Sequence, residues 1–264
     1  MAIRRLRQNV VEQNWFAVLI DIGIVVLGVF LGIQASNWNQ GRQVRALANE
    51  YRQQIIADLD NNIADLTARR AYYNSARDRS IAALNALPAA PSPTGDERLT
   101  VLAYQASEVF TRPLVRGAYD EMTAAGMGPE VADLRLRARL SSYYGAMISA
   151  DRTFQATTDY REQARRLLPT QIQQYLRSRC GDRVIRHGNG LRTATMADVC
   201  PLPLEPALIR LAAARLRSAR ELELDLNRHI ADLDQKLLLF RGFLVLVTGL
   251  RADLSAKHAS PQPT

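Results

Sequence analysis

The stretch WFAVLIDIGIVVLGVFLGIQASNW, Trp15 to Trp38, decides the architecture of this chain. Its apolar run, residues 16–33, is interrupted only by Asp21. As an α-helix the whole stretch would be about 35 Å long, enough to cross a hydrocarbon core of about 30 Å. The two tryptophans stand at its ends, where aromatic side chains anchor helices at membrane interfaces. The sequence therefore predicts a transmembrane helix over residues 15–38.

A cleaved signal peptide is the alternative to a permanent anchor. The apolar run is too long for the hydrophobic region of a signal peptide, and no small-x-small cleavage site fits well before Asn37. We therefore predict an uncleaved anchor.

The positive charges on the two sides of the span are nearly equal in number, so they give little preference for either orientation of the anchor. The arginines close to the two ends of the span are Arg4, Arg5 and Arg7 before it and Arg42, Arg45 and Arg52 after it. The free amino terminus tips the balance towards a cytoplasmic tail, 1–14. We expect a bacterial inner-membrane protein with a periplasmic helical domain, 39–256.

One face of the span carries small and polar residues. At 3.6 residues per turn, a single stripe contains Asp21, Val25, Gly28, Gly32, Ala35 and Asn39. The Gly28–Gly32 pair lets two helices approach closely, and a carboxylate inside a membrane needs protonation, a partner or nearby water. We expect an assembly face; the alternatives are a proton-coupling role for Asp21, or a carboxylate that merely reaches the interface.

The rest of the chain predicts helices. Leucine, alanine and arginine recur along most of its length, and the fold class we expect is all-α: an N-terminal transmembrane helix continuing into an elongated antiparallel helical bundle. Helical regions are expected at 40–87, at 99–125 with a break at Pro113, at 129–179 with an interruption at Pro169, and at 206–256.

The last of these helices has a heptad pattern. Its predicted seam is Leu226, Ile230, Leu233, Leu237, Phe240, Leu244 and Val247. Residues 237–250 are apolar nearly all round but too short, and interrupted by Arg241, to form a second span. We expect a buried helix there and a disordered tail over 257–264.

Cys180 and Cys200 are the only cysteines of the chain. They bracket a glycine-rich stretch that reads as an irregular loop, and a disulfide closing it suits an oxidising compartment. Two unrelated buried thiols are the alternative. The loop region is basic, with Arg177, Arg179, Arg183, Arg186 and Arg192; a solvated loop is the default interpretation, and an anionic envelope polymer is the alternative partner.

Two groups of residues carry a family resemblance. The first is an acidic residue in the span followed by Gly, Gln and Asn-Trp-Asn: Asp21, Gly28, Gln34 and Asn37, Trp38, Asn39. The second comprises Tyr119, Glu121, Met122, Gly126, Leu136, Arg137, Tyr143 and Tyr144. With these residues the chain resembles an uncharacterised bacterial single-pass membrane family, a domain of unknown function. It differs in having Asp21 where that family has Glu, and Ala125 where it has Ser. The resemblance implies a membrane anchor with an extended helical domain and implies no activity.

The residues that could serve in catalysis or metal binding do not follow the spacing of any known motif. The histidines, His187, His229 and His258, share no ligand spacing, and no phosphate-binding loop or nucleophile elbow is present. We expect one tyrosine of the Tyr143–Tyr144 pair in the core and the other at the surface. The net charge of +8 comes from scattered basic residues without interleaved aromatics, so we expect no nucleic acid partner.

These patterns favour a non-enzymatic scaffold or assembly protein of the bacterial envelope. It would contact membrane lipid, form homo-oligomers and bind other membrane proteins, without a cofactor. An ion-coupled membrane subunit using Asp21 is the second hypothesis. An envelope sensor is the third and is less favoured, because the tail 1–14 offers no output domain.

Overall fold

The computed structural model describes the backbone of residues 15–259, with side chains for residue 20 and residues 22–256. The helices are α1 Trp15–Ala86, α2 Pro93–Ala106, α3 Gly117–Ala124, α4 Gly128–Val131, α5 Leu134–Gln155, α6 Asp159–Leu167, α7 Thr170–Arg179, α8 Pro206–Ser218 and α9 Leu222–Ala259. The strands β1 Arg183–Arg186 and β2 Arg192–Thr195 pair antiparallel. The predicted all-α class is confirmed, with this one short hairpin added.

The chain forms two compact units, Met1–Tyr51 and Arg52–Thr264. In the first unit, α1 has an apolar stretch near the N-terminus that is long and apolar enough to cross a membrane, and none of that stretch is buried. Val25 and Phe30, for example, are 63% and 57% exposed. Apolar surface of this extent is typical of a segment covered by lipid or by another protein. The predicted tail 1–14 lies outside the described residues.

The second unit has an apolar core where α2, α6 and α8 meet the C-terminal part of α1. Leu99, Tyr160 and Leu216 are fully buried there. α2 begins where Ser92 accepts a hydrogen bond from the Gly95 amide at 3.1 Å, with Pro93 in the first turn. This arrangement satisfies an amide that the start of the helix would leave unpaired.

Several predicted helices are interrupted, and some of the breaks lie where the sequence has no proline. The region 99–125 is broken between α2 and α3 over residues 107–116, which have no regular secondary structure and are called the extended segment below; they include Pro113, where a break is expected. α2 itself begins at Pro93, before the expected residue 99. The region 129–179 is divided before Leu134, before Asp159 and before Thr170, and only the last break lies at a proline, Pro169. The expected single helix 206–256 is two helices, α8 and α9, and α9 runs on to Ala259. Residues 260–264 lie outside the described residues.

Side-chain hydrogen bonds explain two of these interruptions, one through a distant contact and one through a local cap. The Lys236 ammonium donates to the Ala156 carbonyl at 2.6 Å, directly after α5 ends. Asp133 accepts from the Leu136 amide at 2.8 Å and caps the start of α5. A break that depends on a partner eighty residues away leaves no local signal in the sequence.

The predicted heptad seam of α9 is half wrong. Leu226, Leu233, Phe240 and Val247 are buried as expected. Ile230, Leu237 and Leu244, however, are only partly buried, and the alternate seam positions are taken by His229, Lys236 and Phe243. The buried positions still alternate between steps of three and four residues. Starting from Leu226, however, the first step is three residues, whereas the predicted seam begins with a step of four. Two polar residues therefore occupy the buried side of α9.

The expectation of a buried helix over residues 237–250 holds for one side of α9 only. Leu238, Val245 and Leu246 are 67%, 69% and 49% exposed. They lie off the buried seam, so the outer side of α9 is apolar and accessible. Patches of this kind commonly mark interaction surfaces.

The stretch between the cysteines is a hairpin rather than an irregular loop. β1 and β2 pair with Arg183 opposite Thr195 and Arg186 opposite Arg192. Two hydrogen bonds close the turn. The His187 amide donates to the Leu191 carbonyl at 2.8 Å, and the Gly190 amide donates to the His187 carbonyl at 3.0 Å. Gly190 has φ +79°, the left-handed conformation that ends a three-residue hairpin turn and favours glycine.

Candidate functional site

The extended segment 107–116 is held by polar side chains on one side of α1. Asn62 donates through Nδ2 to the Val115 carbonyl at 2.7 Å and accepts the Val115 amide at Oδ1, at 2.8 Å. The Tyr73 hydroxyl donates to the Phe110 carbonyl at 3.0 Å. These side chains replace the neighbouring strand that an extended segment normally needs for its backbone.

A buried ion-pair cluster continues the same polar side of α1. The Asp65 carboxylate contacts Arg69 at 2.5 Å and Arg112, which belongs to the extended segment, at 3.2 Å. Asp65 and Arg69 are each only 1% exposed. Nearer the N-terminus of α1, the Asp58 carboxylate accepts a hydrogen bond from the Ala118 amide at 3.0 Å, and burial raises the pKa of this carboxyl. A buried pair of this kind is sensitive to loss of either partner.

His229 lies in the buried seam of α9 and binds two other elements. Its Nε2 lies 2.9 Å from the Ala106 carbonyl at the end of α2, and its Nδ1 lies 2.8 Å from the Thr158 hydroxyl. Because a carbonyl only accepts, Nε2 carries the proton and Nδ1 accepts from the threonine, which is the neutral tautomer. Burial lowers the pKa of His229 to about 4, so this neutral form persists at physiological pH.

Lys236 lies two turns farther along the same helix face. Its ammonium donates to the Ala156 carbonyl and lies 5.3 Å from the centre of the Tyr73 ring, a cation–π geometry. Burial lowers the pKa of this ammonium to about 8. Lys236 thus ties α9 to the end of α5 and to α1.

Glu108, Arg161 and Arg165 complete the cluster around the start of the extended segment. Arg165 contacts the Glu108 carboxylate at 3.1 Å and the Ser107 hydroxyl at 2.7 Å. Arg161 donates to the Ser107 carbonyl. The guanidinium of Arg165 also stacks over the ring of Tyr104, 3.8 Å from its centre. These contacts attach α6 to residues 107–108.

The root of the hairpin is joined to α1 by Tyr72 and Asp182. The Tyr72 hydroxyl reaches the two carboxylate oxygens of Asp182 at 2.8 Å and 3.0 Å. Burial, with the nearby Glu108 carboxylate, raises the pKa of Asp182 to about 6. The same two causes, burial and a neighbouring carboxylate, raise the pKa of the Tyr72 hydroxyl.

The space enclosed by His229, Lys236 and their neighbours is very small. The cavity lined by Tyr73, Glu108, Arg161, His229 and Lys236, among others, has a volume of about 10 Å³. That is about the room taken by one water molecule. The polar groups around it are directed at backbone carbonyls and at each other, and their arrangement fastens helices to the extended segment.

Three of the family-resemblance residues, Tyr119, Tyr143 and Tyr144, form one aromatic cluster. The rings of Tyr119 and Tyr144 stack with centres 4.1 Å apart, and Tyr143 meets Tyr144 edge-on at 5.0 Å. Both Tyr143 and Tyr144 are buried, at 2% and 1% exposure, so the expected division into one core and one surface tyrosine is wrong. Adjacent helical residues can both be buried when two different elements cover them, as Tyr119 and Phe243 do here.

The predicted membrane face keeps its small residues accessible. Gly28 and Gly32 have no atom within 4 Å of the position a Cβ would take, and Val25 and Trp38 are each 63% exposed. Ala35 and Asn39 are exposed as well. Arg42 lies over the Trp38 ring at 5.0 Å. The side chains of Asp21 and Trp15 lie outside the described residues.

Cys180 and Cys200 are joined by a disulfide, with their Cα atoms 5.6 Å apart. The bond ties the end of α7 to the chain that follows β2 and so closes the base of the hairpin. Within the part of the chain that the structure describes, no group of three or more His, Cys, Asp or Glu side chains is arranged to hold a metal ion.

Sequence reasoning missed the polar side of α1 and the seam position of His229. The available signal was the spacing of Asn62, Asp65 and Arg69, which recur at helical intervals among apolar residues that are buried. Polar residues at buried positions of a helix need dedicated partners, so this spacing indicates a polar contact with another element.

Comparison with known protein families, with curated proteins and with solved structures found no match for this chain.

Proposed function

We propose that this protein is a membrane-anchored, non-enzymatic scaffold or assembly protein of the bacterial envelope. In this proposal the span anchors the chain and self-associates through the face that contains Gly28 and Gly32. The helical domain lies on the periplasmic side and presents binding surfaces. The observation that carries the proposal is the fully accessible apolar stretch of α1 with its small-residue face.

The state of the buried polar groups supports a structural rather than a catalytic role. His229, Lys236 and Asn62 are the kinds of side chain that enzymes use, but each is bound to a backbone carbonyl. The cavity beside His229 and Lys236 accepts about one water molecule. A catalytic group must reach a substrate atom at hydrogen-bond distance, and these groups are already engaged in holding the fold.

The outer side of α9 supports a role in assembly. Leu238 and Val245 are seven residues apart and both about two-thirds exposed, at 67% and 69%. Residues seven apart lie on the same side of a helix. Exposed apolar side chains on one side of a long helix are a usual contact surface for another protein.

Photo-crosslinking in intact membranes tests the proposal. A photoreactive amino acid at Val25, on the predicted face, is compared with the same residue at Val26, which points about 100° away. The two positions are matched, at 63% and 61% exposure. We expect a crosslinked dimer of this chain from Val25 and little from Val26. Equal yields from both positions, or lipid adducts alone, would contradict assembly through this face.

The variant Asp21→Asn separates assembly from proton coupling. An amide keeps the size and polarity of the side chain but no longer takes up or releases a proton. We expect the Val25 crosslink to persist in this variant. Loss of a proton-dependent activity in cells, with the crosslink intact, would favour an ion-coupled subunit instead.

A further inference from the structure

The outer strand of the hairpin, β1, is exposed along its whole length. All four of its residues, Arg183 to Arg186, are accessible, and the apolar Val184 and Ile185 are 51% and 46% exposed. Its partner β2 is different, because Thr193 and Ala194 are 7% and 3% exposed. β1 is therefore an open edge, and β2 is the side that faces the protein.

The register of the hairpin shows which backbone groups point outward from β1. His187 and Leu191 form a hydrogen-bonded pair at the turn. Bonded and non-bonded pairs alternate in an antiparallel ladder, so Val184 and Arg186 occupy non-bonded pairs. Their amide and carbonyl groups point away from β2. Among the described residues, no hydrogen bond from outside the hairpin reaches these groups.

Two arginines lie directly opposite each other on this hairpin. Arg186 pairs with Arg192 in a non-bonded position, where facing side chains come closest. Like charges directly opposite across strands are destabilising. Both side chains are exposed. A bound anion between the two guanidiniums would turn this repulsion into attraction, because each guanidinium binds a carboxylate through two parallel hydrogen bonds.

The positive charge of the hairpin is not neutralised by the protein itself. In the part of the chain that the structure describes, no carboxylate pairs with Arg179, Arg183, Arg186 or Arg192. The nearest carboxylate along the chain, Asp182, accepts the hydroxyl of Tyr72. The edge therefore combines unpaired backbone groups, apolar side chains and uncompensated positive charge.

We infer that the open edge of β1 binds an extended acidic peptide segment of another protein, which adds to the hairpin as a third strand. The outward amide and carbonyl groups of Val184 and Arg186 supply the backbone hydrogen bonds, and the arginines bind the carboxylates. Val184 and Ile185 contact apolar side chains on the two faces of the added strand. This site is separate from the proposed assembly face and does not depend on it.

The same features argue against two other occupants. A second copy of β1 added antiparallel would place arginines of one copy against arginines of the other, with no compensating charge. A non-peptide polyanion would use the guanidiniums but leave the outward backbone groups and the apolar side chains unused. A peptide with two apolar residues between two acidic ones matches all three features. Because side chains alternate between the two faces of a strand, such a peptide places one acidic and one apolar side chain on each face, as β1 does with Arg183 and Ile185 on one face and Val184 and Arg186 on the other.

The test is fluorescence anisotropy with the full-length protein in neutral detergent micelles. The probe is a short fluorescein-labelled peptide of glutamate and valine built around the order Glu-Val-Val-Glu. The same peptide methylated on alternate backbone nitrogens, a lysine–valine peptide and inorganic polyphosphate are the comparison ligands. The protein variants are Arg186→Ala and Val184→Pro, with Arg166→Ala as the control, since Arg166 is an exposed arginine on α6. Proline at position 184 removes an outward amide and the valine side chain without breaking a hydrogen bond of the hairpin ladder, and edge strands tolerate proline at such positions.

We expect the glutamate–valine peptide to bind, and Arg186→Ala and Val184→Pro each to weaken binding by roughly five-fold or more. Arg166→Ala should leave the affinity unchanged, and the N-methylated and lysine–valine peptides should not bind. The methylated peptide tests the backbone hydrogen bonds without altering the protein, so the result does not depend on the folding of Val184→Pro. Equal affinity for the methylated peptide, or tighter binding of polyphosphate, would overturn strand addition in favour of a polyanion site. Absence of binding by the glutamate–valine peptide would also overturn it.

Discussion

Asn62 and Val115 exchange two hydrogen bonds, from Asn62 Nδ2 to the Val115 carbonyl at 2.7 Å and from the Val115 amide to Asn62 Oδ1 at 2.8 Å. The side-chain amide of a buried residue on α1 thereby acts as the missing strand partner for the extended segment 107–116. A carboxamide is the one side-chain group that both donates and accepts in the spacing of a peptide bond. The fold of the second unit depends on this and similar polar contacts as well as on its apolar core.

Replacing Asn62 should destabilise the second unit. Asn62→Ala removes two hydrogen bonds and leaves the Val115 groups without partners, and we expect a loss of about 2–3 kcal/mol in the free energy of unfolding. Asn62→Asp keeps the acceptor but loses the donor, so its effect should be at least as large. Thermal unfolding followed by circular dichroism measures both. Asn74→Ala, at an exposed position of the same helix, is the control; an Asn62→Ala protein as stable as the control would contradict this role.

The neutral state of His229 should appear in the pH dependence of stability. Its pKa is lowered by burial from 6.5 to about 4, so the folded state binds fewer protons than the unfolded state between these values. The contribution of His229 to the free energy of unfolding is fully present above pH 6.5 and is lost as the pH falls through 6.5 towards 4. The shift corresponds to roughly 3 kcal/mol. We expect His229→Gln to lose stability at neutral pH and to show a smaller further loss between neutral and acidic pH than the unmodified protein.

Asp182 changes the stability with pH in the opposite direction to His229. The comparison of His229→Gln with the unmodified protein must therefore separate the effects of the two groups. The pKa of Asp182 is raised to about 6, so its contribution is present at low pH and is lost as the pH rises through 6. Because Asp182 is unchanged in His229→Gln, the difference between the two unfolding curves isolates His229. His187→Gln, in the exposed hairpin turn, is the control. An identical pH dependence of the His229→Gln and unmodified proteins would show that folding does not shift the pKa of His229.

Breaking the disulfide should loosen the hairpin and lower stability. Cys180 and Cys200 are separated by 20 positions, and closing a loop of this size stabilises by about 3 kcal/mol in the chain-entropy model. We expect the double variant Cys180→Ala, Cys200→Ala to unfold at a lower temperature than the unmodified protein. Mass spectrometry of protein alkylated without reduction checks the bond in cells. Two alkylated cysteines would contradict both the bond and the periplasmic placement of the domain.

The periplasmic placement has its own test. We expect a bacterial alkaline phosphatase fused after residue 264 to be active, because that enzyme needs an oxidising compartment to form its disulfides. A fluorescent reporter that folds only in the cytoplasm should be dark at the same position. An inactive phosphatase with a bright reporter would reverse the orientation.

The elements that the sequence predicts well are those with a local physical cause. The apolar stretch ending at Trp38 needs no distant contact, and it is present. Gly126, with φ +67°, ends a helical turn in the left-handed conformation that glycine adopts readily. Each of these features is encoded by neighbouring residues.

The features that were mispredicted depend on distant partners. Hydrophobicity favours Ile230 and Leu237 over His229 and Lys236 as seam residues, and both choices give the same steps of three and four. The structure buries His229 and Lys236 because Ala106, Thr158 and Ala156 supply hydrogen-bond partners from other parts of the chain. The extended segment 107–116 is likewise specified by side chains of α1, more than thirty-five residues earlier in the chain.

Self-association through the span is the central claim, and replacing its glycines tests it most directly. Gly23, Gly28 and Gly32 have no atom within 4 Å of the position a Cβ would take, so isoleucine at any of them meets open space within the chain. The Gly23→Ile variant shows what the same substitution does at a position away from the proposed face. Gly28 and Gly32 lie on the proposed face, and Gly23 lies about 140° away from Gly28 around the helix.

The measurement is the yield of crosslinked dimer from a photoreactive residue at Val25, in native membranes and with the disulfide intact. We predict that Gly28→Ile with Gly32→Ile lowers the association constant by about ten-fold, because close helix contact needs small residues. Gly23→Ile should leave the yield unchanged. An undiminished yield after replacement of both Gly28 and Gly32 would contradict assembly through this face.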